Sequence, residues 1–138
     1  MKITDELIET YFRRHRDHKP QDHWAWQSVF NTIQNDSLED GWDLTIALLA
    51  AAPSKKALAF VAAGPLENLL GRHGLKLLSR VKAQATADTR FRYALAAVYL
   101  REEAEFYNAL LSLVCQYELH EIDPIDNTPY DDHNLIPG

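Results

Sequence analysis

Glu67, His73, Arg90 and Arg92 are the residues of this chain best suited to chemistry. A carboxylate and an imidazole exchange protons, and guanidinium groups stabilise developing negative charge. A cleft gathering the four would therefore support general acid–base catalysis. Such work needs hydrogen-bond reach and a shifted pKa, which order along the chain does not reveal. Glu67 also has a structural role open to it. It is the third residue after Gly64, where a carboxylate reaches back to the free N–H groups at the start of its helix.

His15, His18 and His23 form a second group. Zinc accepts imidazole ligands, and the first two, three residues apart, have the spacing of one helix face. The spacing straddles the end of that helix, and no Cys or acidic ligand stands at a fixed distance. The expectation is a polar turn with no metal. Cys115, near the apolar face of the last predicted helix, reads as a buried inert thiol. No P-loop, dinucleotide glycine fingerprint, nucleophile elbow or paired zincin histidines occur, so no cofactor is implied.

A third pattern favours recognition over catalysis. Asp36, Glu39, Asp40 and Asp43 fall at i, i+3, i+4 and i+7 and would line one helix face. Like charges at these spacings repel by about a few tenths of a kcal/mol per pair, so four exceed what helix capping needs. They read either as a solvated face or as a docking surface for basic groups. Trp24 turns away from the face that carries Trp26, Val29 and Phe30. It suits either packing on the first helix or an exposed aromatic anchor.

The elements that must position these residues read as helices throughout. Leu7, Ile8, Tyr11 and Phe12 predict a helix over 4–16, broken by Pro20. Asp22 would cap a second helix with Trp26, Val29, Phe30 and Ile33 inward. Asp36 with Glu39 would open a third, apolar nearly all round from Ile46 to Ala52 and hence central. Pro53 would end it and lie in the first turn of a fourth, over 54–63. Gly64-Pro65 would end that one and open a fifth over 65–72, stopped by Gly74. Leu77, Leu78, Val81 and Ala85 mark a sixth. Phe91, Ala94, Leu95 and Val98 mark a seventh, and Phe106, Leu110, Leu113, Val114 and Tyr117 an eighth. With no breaker at 101–103, the last two read as separate helices or as one bent helix. No segment alternates as a strand. The predicted fold is all-α: antiparallel helical hairpins in a small bundle or a degenerate HEAT-like stack.

Composition bounds the function. The 138 residues carry a net charge of −6 and one Cys, which excludes an internal disulfide. Residues 1–117 read as one domain, and 118–138 as an acidic, Pro-containing tail, extended or disordered. Residues 55–92 are basic, against acidic flanks. The overall acidic balance argues against nucleic acid as a partner. No apolar run approaches the ~20 residues of a membrane span. The N-terminus has no apolar core of a signal peptide, so the expected location is cytoplasmic.

Ala62-Ala63-Gly64-Pro65-Leu66-Glu67-Asn68-Leu69-Leu70, then Arg72-His73-Gly74, resembles the signature of an uncharacterised bacterial domain family. Asp88-Thr89-Arg90-Phe91-Arg92 is similar to a second box of that family, with Thr89 where proline is frequent. Trp24 and Trp26 are similar to its upstream tryptophan helix. The resemblance spans about residues 22–100. It implies an all-helical fold and brings no activity.

The reading that joins these features is a non-catalytic protein-binding module. Its concrete form is an immunity-type inhibitor that docks Asp36, Glu39, Asp40, Asp43 and Trp24 against a basic toxin domain. The alternatives are an enzyme using Glu67, His73, Arg90 and Arg92, or a helical scaffold that self-associates.

Overall fold

Thr4 opens the first helix with its hydroxyl, which accepts from the Leu7 amide at 3.1 Å. The computed structural model describes residues 3–119. In it α1 spans Asp5–Asp17, with Asp5 and Glu6 in its first turn and Arg14, His15 and Arg16 in its last. Each set of charges complements the helix dipole. His18 closes α1 in the left-handed region at φ 55°, and Pro20–Asp22 forms a single 3-10 turn. There follow α2 (His23–Asn35), α3 (Leu38–Ala51), α4 (Lys55–Val61), α5 (Glu67–His73), α6 (Leu78–Ala87), α7 (Thr89–Leu95) and α8 (Tyr107–Gln116). No strand occurs among the described residues. The fold is a small all-α bundle, as expected. The tail from 120 to 138 lies outside the described residues.

The centre of the bundle is α3, which meets α1, α2, α4, α5 and α7. Its Leu44, Thr45, Leu48 and Leu49 are at most 1% exposed, as its apolar surface requires. The buried Thr45 hydroxyl bonds back to the Gly41 carbonyl at 2.8 Å, so it leaves no orphan polar group. Gly41 lets α5 come close: a Cβ there would lie 2.9 Å from Leu69 Cδ1.

Several local expectations are corrected. Asp22 does not cap α2 with its side chain. Its carboxylate instead accepts both Nε and Nη2 of Arg13, each at 2.9 Å. The α2 core face is Ala25, Val29, Thr32 and Ile33, whereas Phe30 is 41% exposed. The helix sits rotated, so Trp26 and Phe30 fall at the edge of the bundle. Asp36 ends α2, and α3 is capped by Ser37, whose Oγ accepts from the Asp40 amide at 3.1 Å. Ser54 likewise caps α4 through the Ala57 amide at 3.1 Å, which leaves Pro53 outside the helix.

Gly64-Pro65 does not separate two helices. Chain 55–73 continues through a π-helical turn at Ala62–Leu66 with Pro65 inside it. Proline has no N–H to donate and its ring crowds the preceding turn, and the wider π turn accommodates both. The real stop is Gly74, at φ 51°. The stretch between α7 and α8 is not helical, so these are two helices rather than one bent rod. Amides at 96, 97 and 98 bond back three residues, and the turn carries Leu100 and Phe106 into the core. Cys115 is exposed, not buried. The buried stripe of α8 is Leu110 and Leu113, and a step of two residues turns Cys115 by roughly 200° away from Leu113.

Candidate functional site

The four groups suited to acid–base work are engaged separately. Arg90 Nη1 donates to the carbonyls of Leu49 and Ala52 at 3.3 Å each, and to that of Ala50. It thereby closes the C-terminal end of α3, where free carbonyls and the dipole favour a cation. Arg92 does the same for α6, donating to Ala85 O at 3.0 Å and, through Nη2, to Thr89 Oγ1 at 3.1 Å. Its guanidinium also lies 5.3 Å from the centre of the Tyr117 ring.

Glu67 has no helix start to cap, because the π turn runs into it. Its Oε1 accepts the Tyr99 amide at 2.6 Å. Burial raises its pKa above the ordinary carboxylate value, and the Tyr99 hydrogen bond opposes that rise. His73 is six residues further along the same helix, about 9 Å along the axis and on another face. Its Nε2 is buried with no partner among the described residues. Burial, with Arg72 and Lys76, lowers its pKa. The helix therefore does not bring Glu67 and His73 together.

The expected four-acid helix face is not formed: Asp36 ends α2, which leaves Glu39, Asp40 and Asp43 on α3, and Glu39 meets a base from within the chain. Glu39 receives both terminal nitrogens of Arg80 on α6, one at 2.9 Å. The pair holds Glu39 below the usual carboxylate range, and Asp43 also faces Arg80 electrostatically. Asp36 and Asp43 are exposed, and Asp40 is half-buried. Trp24 is 44% exposed.

His23 stacks on Trp26 with ring centres 5.4 Å apart. Trp26 in turn stacks on Phe30 at 5.3 Å, with the Arg14 guanidinium 5.6 Å from the Trp26 ring centre. Among the described residues no group of three or more His, Cys, Asp and Glu is placed to hold a metal ion. No helix there is long and apolar enough to cross a membrane.

Sequence reasoning missed a concavity beside this stack. Trp26, Phe30, Phe60, Gly64, Pro65 and Asn68 wall an open pocket of about 260 Å³. None of its walls is a carboxylate, an imidazole or a cation, so it offers shape and apolar surface without acid–base groups. The one available signal was Pro65, whose place inside a helix demanded a local widening.

Neither a curated protein nor a solved structure matches the chain. The model of a family of unknown function, DUF6869, matches residues 13–109, a span holding every helix from α2 to α7 and the whole stretch from Ala62 to Arg92. With most of its length inside that match, the chain belongs to DUF6869, a family of unknown function.

Proposed function

We propose that this protein is a non-catalytic protein-binding module. The observation that carries the reading is the engagement of Arg90 and Arg92 by backbone carbonyls of α3 and α6. Both cations that an acid–base site at Glu67 would use have structural duties elsewhere. The surface meanwhile keeps exposed Trp24, Asp36 and Asp43, the mixture of aromatic anchor and charge that recognition favours.

The concrete form is an immunity-type inhibitor that covers a basic toxin cleft with the edge formed by Asp36, Glu39, Asp40 and Asp43. The Glu39–Arg80 pair supports it, since that edge already accepts a guanidinium in bidentate geometry. Arg80 also weakens the field of the edge, so Asp36 and Asp43 are the acids left to steer a partner.

The test is affinity capture from the native host followed by association kinetics. Asp36→Lys and Asp43→Lys are the variants of choice, because both side chains are exposed and neither amide closes the α3 cap. A stoichiometric basic partner whose association slows with salt and with both reversals supports the reading. A partner indifferent to salt and to reversal sinks the electrostatic form. Turnover lost on Glu67→Gln with the fold intact would move the protein to the enzyme class.

A further inference from the structure

The C-terminal end of α1 and the turn before α4 enclose a second cavity, of about 540 Å³. Phe12, His15, Arg16, His18, Ser54 and Lys56 line it, with Pro53 and Ala57. Its charge runs against the rest of the molecule. The chain carries −6 overall, yet these walls hold two permanent cations, two imidazoles and no carboxylate. Arg16 is paired with Asp17 at 2.8 Å, which lies outside the lining. Lys56 has no ion pair among the described residues.

The geometry of His15 adds a second observation. Its ring lies flat on Phe60, with centres 3.8 Å apart and planes 22° from parallel. The stack fixes the imidazole plane from one side. The ring is half-buried, and neither nitrogen has a hydrogen-bond partner among the described residues. His18 stands 6.4 Å away, ring centre to ring centre. Ser54 Oγ accepts from the Ala57 amide, which leaves its hydroxyl hydrogen free to donate. Groups able to donate thus line one space from two separate elements, with Phe12, Pro53 and Ala57 as its apolar wall.

We propose that this cavity binds a small phosphomonoester, its phosphate held by Lys56, His15, His18 and the Ser54 hydroxyl and its organic part lying against Phe12 and Pro53. A dianion suits a site with more than one cationic donor, since charge-assisted bonds are the strong ones. The volume suits a small organic molecule rather than a bare ion. The charges around His15 agree with this. Burial first, then Lys56, His18 and Arg14, hold its pKa below the ordinary histidine value. Arg16 and its partner Asp17 complete the charged groups at this end of α1. A bound phosphate opposes the charge part of that shift and moves the His15 pKa upward.

The experiment is NMR titration of the histidine side-chain resonances of the full chain with phenyl phosphate, repeated with inorganic phosphate. The expected result is saturable movement of His15 and His18, with His23 still and the His15 midpoint raised. Lys56→Gln should weaken binding roughly five- to tenfold, the loss of one charge-assisted bond at a partly solvated site. Lys56 is exposed, so the variant should keep its fold, which the methyl spectrum checks. Equal affinity for inorganic phosphate overturns the assigned ligand class and leaves a bare anion site. Movement without saturation, or affinity unchanged in Lys56→Gln, overturns the site itself.

Discussion

Glu67 and Tyr99 lie 32 residues apart, yet the Glu67 carboxylate accepts the Tyr99 amide at 2.6 Å. One carboxylate on α5 thus holds the turn that leaves α7. The contact gives the Tyr99 amide an acceptor in the non-helical stretch between α7 and α8. An amide that would bond within a helix finds a charged acceptor on a neighbour, and Leu100 and Phe106 gain burial at the same time.

That relationship predicts different outcomes for two variants. The pKa of Glu67 is raised by burial, so its folded value lies above the unfolded one, about 4.3. Its contribution is fully present below the unfolded value and is lost as pH rises through the folded one. Glu67→Gln keeps an acceptor for Tyr99 and removes this slope, leaving stability at pH 7 equal to or above wild type. Glu67→Ala gives up the bond, costs about 1 kcal/mol and speeds hydrogen exchange at the Tyr99 amide. Unchanged exchange in the alanine variant would deny the contact.

Asp22 should act in the opposite direction. The bidentate hydrogen bond from Arg13 holds its carboxyl below the usual carboxylate range. The stabilisation is complete above the unfolded value, about 3.9, and disappears as pH falls through the lower folded value. Asp22→Asn should therefore lower Tm at pH 7, with the gap closing toward acid pH. Thermal unfolding between pH 2 and 7 reads the difference, and a gap independent of pH would assign the loss to packing.

Gly74 is the backbone position least tolerant of a side chain. It sits at φ 51°, ψ −132°, and an added Cβ would lie 2.5 Å from Glu105 Oε2. Gly74→Ala should cost about 1–3 kcal/mol of strain, read as a lower denaturant midpoint with an unchanged slope. Combining it with Glu105→Ala should recover only the steric share, because the dihedral remains.

Arg90 donates to three carbonyls at the end of α3, so Arg90→Ala should cost about 1–2 kcal/mol, the range for a charged donor discounted for solvent exposure. Arg90→Lys should recover part of this, because an ammonium also donates to several carbonyls. Equal losses in both would show that the planar guanidinium matters beyond these bonds. A catalytic Arg90 would instead lose turnover at unchanged Tm.

The divide between what order along the chain determines and what the tertiary structure decides follows the range of the forces. Apolar spacing of three and four made most of the helices readable, although the break read at Gly64-Pro65 is a π turn inside a continuous run, and Gly74 was readable as a stop because a positive φ is a local demand. The central place of α3 was readable because a helix apolar all round has nowhere else to go. Polar partners were another matter. Glu67 was read as a cap of its own helix, Asp22 as a cap of α2, and Arg90 with Arg92 as candidate chemistry. Each found a partner outside its own helix, and a carboxylate or guanidinium serves equally wherever the fold presents a donor or an acceptor. Only packing decides which is within 3 Å. The same holds for the pocket beside Trp26, Phe60 and Pro65 and for the basic cavity of His15 and Lys56. Both are concave spaces between elements distant in sequence, and no spacing along one helix encodes a surface made by two.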